Sequence, residues 1–161
     1  QKISSSAQNT ISDINDIVWA INPLNDSFKG IVDRMQSLMQ SVFLSNNIKY
    51  EFNYNESLFI KPIDMSVRKN FFLIFRELIN NILKHSDCKT VTVNLHLQDN
   101  KLILSIEDDG IGYDYEAVLQ KSSMSGNGLK NIRLRANENG GEVEVLSSIS
   151  KGSKTIIKLK I

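Results

Sequence analysis

The sequence predicts an α+β fold, a two-layer α/β sandwich in which helices cover one face of a largely antiparallel sheet. Two observations support this prediction. Amphipathic helical patterns are interspersed with short segments in which apolar and polar residues alternate, and the last two pairs of these segments are joined by turns. A chain of 161 residues is also long enough for one domain with a short additional element.

The composition excludes some classes of protein. Lys and Arg number 19 against 18 Asp and Glu, so the nearly neutral chain shows no general attraction to nucleic acid or to a membrane surface. The single cysteine, Cys88, excludes an internal disulfide framework and fits a reducing compartment. The sequence contains no signal-peptide pattern and no apolar run long enough to span a bilayer.

Residues 1–22 are predicted to form a helix that is separate from the domain at 23–161. Its apolar residues recur close to a heptad repeat, at Ile3, Ala7, Ile11, Ile14, Val18 and Ile21. Pro23 ends this helix, since a residue before proline disfavours helical angles. Two interpretations remain open: a helix packed on its own domain, or half of a helical hairpin whose partner lies upstream. Because the helical pattern is already under way at residue 1, we expect a fragment of a longer protein.

The elements of the domain follow from periodicity and from turn residues. A helix capped by Asp26 or Ser27 is predicted to run to about Asn46 with an apolar stripe at Ile31, Met35, Leu38, Met39 and Val42. Pro62 marks a turn before a central helix that begins near Ser66. The other predicted elements are strands at 50–54, 90–97, 102–106, 142–146 and 155–161, with a turn at Asp99–Asn100. A last helix opens at Leu129 and ends before Gly140, and its apolar residues are Leu129, Ile132, Leu134 and Ala136.

The central helix carries an unusual polar face. Its apolar face is formed by Phe71, Phe75, Leu78 and Ile82, at helical spacing. The opposite face presents Glu77, Asn81 and Lys84 in one row. A carboxylate can accept a proton, an amide oxygen can bind a hard cation, and an ammonium can pair with phosphate. Taken alone, this row also fits an ordinary solvated helix face.

Two glycine motifs follow the central helix. Asp108, Gly110 and Gly112 come at the end of a strand, where glycines allow a tight turn and close approach to a ligand. Gly126 and Gly128 precede the next helix, whose free N–H groups suit an anion. Residues 113–125 between the motifs have no clear period and are predicted to be a mobile loop. Each motif taken singly also fits an ordinary turn.

The order of the motifs resembles the Bergerat-type ATP-binding domain of the GHKL superfamily. That superfamily includes sensor histidine kinases, heat-shock chaperones, type II topoisomerase ATPase subunits and MutL-like repair proteins. The resemblance covers about residues 47–161. The matching motifs are Glu77-x-x-x-Asn81-x-x-Lys84-His85-Ser86, Asp108-x-Gly110-x-Gly112, Gly126-x-Gly128-Leu129 and Gly152-Ser153-x-Thr155.

At two points the chain departs from the common histidine-kinase pattern, and at both it resembles one subfamily of sensor histidine kinases. Glu77 stands where many histidine kinases have Asn, and the segment between the glycine motifs has no phenylalanine-containing box. Both features are similar to the nitrate-sensing and membrane-fluidity-sensing kinases. Residues 16–27 also resemble the second phosphoacceptor-domain helix of large hybrid sensor kinases whose extracellular part is a β-propeller.

The resemblance implies a nucleotide site that contains ATP and Mg²⁺. Asn81 would bind Mg²⁺, and Glu77 would polarise or deprotonate the attacking histidine. Lys84 would reach a phosphate, and Asp108 would accept a hydrogen bond from the adenine amino group. The remaining implied nucleotide-binding residues are Gly110 and Gly112 beside the base, Gly126 and Gly128 in the phosphate loop, Thr155 on the adenine side, and also His85 and Leu129.

The implied activity is ATP-dependent phosphorylation of a histidine, followed by transfer to a receiver-domain aspartate of a response regulator. The chain has only His85, inside the first motif, and His96, on a strand with its side chain predicted to face solvent. We therefore expect the acceptor on an upstream helix of a homodimeric parent, and no autophosphorylation of the chain itself. The resemblance also implies a cytoplasmic domain of a protein anchored in the bacterial inner membrane.

Two other functions remain open at this point. One is a non-kinase ATPase or a serine kinase of the same superfamily. The other is a degenerate module that senses nucleotide or only dimerises. The heptad-like first helix argues against the former, and the presence of Glu77, Asn81 and Asp108 argues against the latter.

Overall fold

The computed structural model describes residues 18–19, 27–121 and 128–161, apart from the side chains of residues 119–121. Between residues 27 and 161, the described residues form four helices and five strands, together with a short 3₁₀ helix at Glu56–Ile60. The helices are α1 (Phe28–Ser45), α2 (Met65–His85), α3 (Tyr115–Lys121) and α4 (Gly128–Glu138). The strands are β1 (Lys49–Tyr54), β2 (Thr90–Gln98), β3 (Lys101–Asp108), β4 (Glu142–Ser147) and β5 (Ser153–Lys160).

The five strands form one sheet in the order β1-β2-β3-β5-β4. β1 and β2 are parallel, and the other three pairs are antiparallel. The turn between β2 and β3 places Asp99 and Asn100 at φ values of 50° and 60°, as a two-residue hairpin turn requires. The predicted α+β sandwich with a largely antiparallel sheet is therefore confirmed.

The core lies between one face of the sheet and the helices. The four residues predicted to form the apolar face of α2 are all buried: Phe71, Phe75, Leu78 and Ile82. Further residues of α2 also lie in the core: Val67, Phe72, Ile74 and Ile79. Along β2, the valines and leucines face the core and alternate with residues on the outer face of the sheet. His96 is exposed on that outer face, as predicted. Ser27 caps α1 by accepting a hydrogen bond from the Gly30 N–H at 3.1 Å. Core packing thus orients α2 so that its polar face remains open.

The structure differs from the sequence predictions at three places. Within 113–125, predicted to be a loop, α3 forms over Tyr115–Lys121, because Asp114 caps its first turn by accepting from the Ala117 N–H at 3.0 Å. A helix this short shows no period in sequence. The 3₁₀ helix at Glu56–Ile60 was also not predicted, although Asn55 caps it through the Ser57 N–H. Leu134, assigned to the apolar stripe of α4, is 51 % exposed, because it lies two residues from the buried Ile132 and so points away from the core.

Most of the first predicted helix lies outside the described residues. Val18 and Trp19 are helical, and they differ in environment. Val18 is 55 % exposed, whereas Trp19 packs against the core. Of these two residues, therefore, Trp19 packs against the domain, and Val18 of the predicted heptad stripe is exposed. The proposed boundary between 22 and 23 stays a prediction.

Asp109 ties the start of β2 to the end of β3. Its carboxylate accepts from the Thr90 hydroxyl at 2.6 Å and from the backbone N–H groups of Thr90 and Lys89, each at 2.8 Å. These hydrogen bonds, the Thr90 hydroxyl first, hold the pKa of the Asp109 carboxyl below its usual value. The charged carboxylate is thus the form that stabilises this junction.

The lowered pKa of Asp109 makes the stability of the junction depend on pH. Because the pKa is lower in the folded state, the stabilisation is present above the unfolded pKa of 3.8 and is lost as pH falls through the lower folded pKa. We expect Asp109→Asn to have a lower Tm than the wild type at neutral pH. The difference should shrink as pH falls below 3.8 and through the lower folded pKa, where the wild-type carboxylate also becomes protonated. Thermal melts across this range check the expectation, and a difference that stays constant with pH would contradict it.

Candidate nucleotide-binding site

A cleft of about 560 Å³ opens between the polar face of α2, the end of β3, the start of α4 and the first half of β5. Nine of the eleven residues predicted from sequence line it together. They are Glu77, Asn81, Lys84, His85, Asp108, Gly112, Gly128, Leu129 and Thr155. Gly110 does not line the cleft, and Gly126 lies outside the described residues.

The inner part of the cleft combines apolar walls with one buried carboxylate. Leu78, Ile82 and Ile106 supply apolar surface, and Asp108 is only 5 % exposed. Asp108 Oδ1 accepts from the Gly110 N–H at 2.9 Å. Apolar walls with a fixed acceptor suit a heteroaromatic ring that carries an amino group.

Ser153 forms a hydrogen bond with the second carboxylate oxygen of Asp108. The sequence analysis assigned no role to this residue. Its hydroxyl donates to Asp108 Oδ2 at 2.6 Å, and its side chain lines the cleft. Thr155, the residue chosen from sequence, lies two positions further along β5 and is 6 % exposed in the same cleft. The strand alternation that places both residues on one face was the available signal.

Tyr113 is a second wall residue that the sequence did not indicate. Burial, followed by the nearby Tyr115 and Asp108, raises the pKa of Tyr113 to about 12. The phenol of this lining residue therefore remains protonated at neutral pH, the form that can donate a hydrogen bond. Its position directly after Gly112 was the only hint in the sequence.

Three glycines near Asp108 allow backbone segments to pack directly against one another. A Cβ on Gly110 would overlap the carbonyl oxygen of Ser86, at the end of α2, and would lie 2.8 Å from Asp108 Oδ1. Gly112 has φ +59°, and its Cβ would overlap the Ser148 carbonyl oxygen. Gly152 has φ +71° and packs in the same way on the carbonyl of Asp108. These contacts hold α2, β3 and the β4–β5 turn together around the carboxylate.

The outer part of the cleft is polar. Glu77, Asn81 and Lys84 line it from α2, and Gly128 opens α4 on the facing side. A Cβ on Gly128 would lie 2.5 Å from Glu77 Oε1 and 3.5 Å from Asn81 Oδ1. The start of α4 and the polar row therefore meet closely, so that the N–H groups of a helix N-terminus lie beside the Glu77 carboxylate and the Asn81 amide.

A second groove, of about 650 Å³, is flatter and less suited to hold a ligand. It runs past Tyr115, Ile149 and Lys151. None of the polar residues of α2 lines it. Among the described residues, no group of three or more His, Cys, Asp or Glu side chains lies close enough to hold a metal ion. The described part of the chain also has no helix that is long and apolar enough to cross a membrane.

An α+β sandwich with a buried carboxylate in a cleft beside its helices fits the Bergerat-type ATP-binding domain that the order of the motifs resembles. Residues 66–161 match the family described as "Histidine kinase-, DNA gyrase B-, and HSP90-like ATPase". The chain belongs to this family. The predicted Bergerat-type ATP-binding domain is therefore confirmed. The assignment of the cleft as its nucleotide site stays a prediction.

The curated relatives are named sensor histidine kinases. LiaS of Bacillus subtilis is 26 % identical over 161 residues, which cover 100 % of this chain and 42 % of LiaS. VraS of Staphylococcus aureus is 34 % identical over 96 residues, or 60 % of this chain and 26 % of VraS. ComP of B. subtilis is 27 % identical over 132 residues, or 82 % of this chain and 17 % of ComP. The chain thus spans less than half the length of these relatives, and its kinship to sensor histidine kinases is confirmed.

Solved structures support the fold. The Acinetobacter baumannii histidine kinase AdeS matches with a TM-score of 0.68 at 18 % identity, covering 98 % of this chain and 79 % of that one. The catalytic domain of the histidine kinase ThkA matches with a TM-score of 0.66 at 18 % identity, covering 83 % of this chain and 93 % of that one. The nitrate-sensor-like subfamily and the β-propeller parent stay predictions.

Proposed function

We propose that this domain binds ATP with Mg²⁺ and transfers the γ-phosphoryl group to a histidine located upstream of residue 1. The observation that carries the proposal is the row of Glu77, Asn81 and Lys84 facing the start of α4 in a cleft that ends on Asp108. The buried carboxylate suits the adenine amino group. The polar row then lies where the phosphates would extend, which is the arrangement that phosphoryl transfer requires.

Asn81 is the residue proposed to hold Mg²⁺. Its amide oxygen lies beside the start of α4, and an amide oxygen is a ligand that Mg²⁺ accepts. Mg²⁺ in nucleotide sites is commonly bound by one or two protein groups together with substrate phosphates and water. The absence of a metal-binding cluster among the described residues is compatible with such a site. When bound, the ion would neutralise charge on the phosphates.

Glu77 is proposed to orient and deprotonate the attacking histidine. It is half-buried at the mouth of the cleft, next to Gly128. An acceptor histidine within the described domain is not favoured, because His96 is exposed on the outer face of the sheet, away from the cleft. His85 belongs to the nucleotide site itself. We propose an acceptor helix in a homodimeric parent, a receiver-domain aspartate as the next acceptor, and a cytoplasmic location in a membrane-anchored protein.

The proposal is tested with a version of the protein that carries the upstream histidine. We expect ATP to label this histidine with acid-labile phosphate, and Glu77→Gln to lower the rate by about 100-fold while ATP binding is retained. The 161-residue chain alone should bind ATP and incorporate no phosphate. Acid-stable phosphate on serine would indicate a serine kinase instead, and phosphate released without any labelled protein would indicate an ATPase.

Gly128→Ala is expected to impair chemistry more than folding. The added Cβ would meet the end of a flexible side chain, Glu77, which can move aside. Stability should change by less than about 1 kcal/mol, since alanine suits the first turn of a helix. Displacement of Glu77 should lower histidine phosphorylation by about tenfold or more, because such transfers depend on sub-ångström to ångström positioning. Urea denaturation and phosphorylation rates check both parts, and an unchanged rate would contradict the expectation.

A further inference from the structure

Trp19 lies on the segment that precedes the domain and packs into a seat formed by Arg34 of α1 and Phe72 of α2. The Trp19 and Phe72 ring centroids are 5.3 Å apart at an angle of 53°. Arg34 Cζ lies 5.7 Å from the centroid of the Trp19 ring and 5.9 Å from that of Phe72. The guanidinium therefore contacts both rings and joins three parts of the chain at one point.

The seat belongs to a side of α2 that differs from the nucleotide face. Phe72 is 1 % exposed, and Arg68, one turn earlier on the same side, is fully buried. Arg34 is half-buried, which strengthens the attraction between its charge and the rings. None of Trp19, Arg34 and Phe72 lines the cleft. The contact can therefore change without altering the residues that hold the nucleotide.

We propose that Trp19 is the anchor by which the preceding segment docks on the domain, and that Trp19 and Arg34 are positioning residues for phosphoryl transfer. The inference about transfer rests on the proposed function, in which the acceptor histidine lies on a helix upstream of that segment. Docking at one place sets the distance and direction from the ATP site to the acceptor. Fixed geometry raises the effective concentration of one reactant at the other.

The size of the contact suits this role. It includes one aromatic pair and one cation over the rings, and each such interaction is weak beside the core of the domain. It can therefore hold the preceding segment in place without being needed for the domain to fold. Loss of the contact should leave the domain folded and able to bind ATP.

The docking step is tested by tryptophan fluorescence of the chain, because Trp19 is its only tryptophan. We expect the wild-type emission to be blue-shifted and partly protected from acrylamide. Arg34→Ala should shift the emission to the red and increase quenching. The matched control is Lys29→Ala, which removes an exposed cation of the same helix that pairs with Asp33 at 2.7 Å and should leave the emission unchanged. A wild-type emission typical of a solvated tryptophan would overturn the docking.

The positioning step is tested in a version that carries the upstream histidine. Trp19→Ala should lower kcat for histidine phosphorylation by about tenfold, with KM for ATP changed less than about twofold. Trp19→Phe should restore most of the rate because it keeps a ring against Phe72 and Arg34. An unchanged or increased kcat would overturn the proposal, since the contact would then have no effect on phosphoryl transfer or would slow it. A wild-type chain that binds no ATP would instead contradict the proposed function and leave the fluorescence result to decide the docking.

Discussion

Asp108→Asn is expected to lower the affinity for ATP by about 100-fold, which corresponds to the loss of a charge-assisted hydrogen bond of up to about 3 kcal/mol. The reason lies in the environment of this buried carboxylate. One oxygen is occupied by the Gly110 N–H and the other by the Ser153 hydroxyl, and both leave room for a further donor. With asparagine, an NH₂ group would face the ligand amino group, donor against donor.

The asparagine variant separates ligand recognition from folding. The amide oxygen can still accept from the Gly110 N–H, and the Ser153 hydroxyl can rotate to accept from the new NH₂. Calorimetric titration with a non-hydrolysable ATP analogue measures the loss. The matched control is Asp109→Asn, since the neighbouring Asp109 is exposed, lies outside the cleft and bonds Thr90 and Lys89 instead. Equal losses of affinity in the two variants would refute Asp108 as the base-recognition residue.

Gly112→Ala is expected to destabilise the domain by more than about 3 kcal/mol, a large part of the typical 5–15 kcal/mol of a folded domain. Two effects add at this position. The φ value of +59° costs any residue with a Cβ, and this Cβ would overlap the Ser148 carbonyl oxygen and lie 2.6 Å from the Gly152 carbonyl oxygen. Both obstacles are backbone atoms that cannot move aside without shifting the β4–β5 turn.

Gly140→Ala isolates the first of these two effects. Gly140 has the same φ of +59°, but the nearest atom to its added Cβ is the flexible Lys160 side chain at 3.4 Å. We expect this control to lose only about 1–2 kcal/mol, the cost of the left-handed conformation. Urea denaturation of both variants gives the comparison. A similar loss in the two proteins would mean that packing around Gly112 adds nothing to its conformational requirement.

Features that depend on neighbours in sequence were predictable. The row of Glu77, Asn81 and Lys84 and the buried face of α2 follow from helical periodicity, and the structure shows both faces as expected. The β2–β3 hairpin followed from alternation and from Asp99–Asn100. The order of the motifs was sufficient to indicate the family, because each motif occupies one local turn or helix start.

Features that depend on contacts between distant segments were not predictable. Ser153 donates to Asp108 across 45 positions of sequence, and nothing local marks it above Thr155. The packing of Gly110 on the Ser86 carbonyl, and of Gly112 on that of Ser148, likewise exists only once α2, β3 and the β4–β5 turn are assembled. α3 was missed because seven residues are too few to show a helical period.

The sequence by itself determined the elements, the polar row on α2 and the membership of an ATP-binding family, because these are encoded by spacing along one segment. Only the tertiary structure decided which groups orient Asp108, why its flanking glycines cannot carry a side chain, and where Trp19 docks. Those outcomes depend on backbone and side-chain atoms that packing of the core brings together from separate segments. The physical reason is that periodicity is a local property, whereas a binding cleft is a property of the assembled layers.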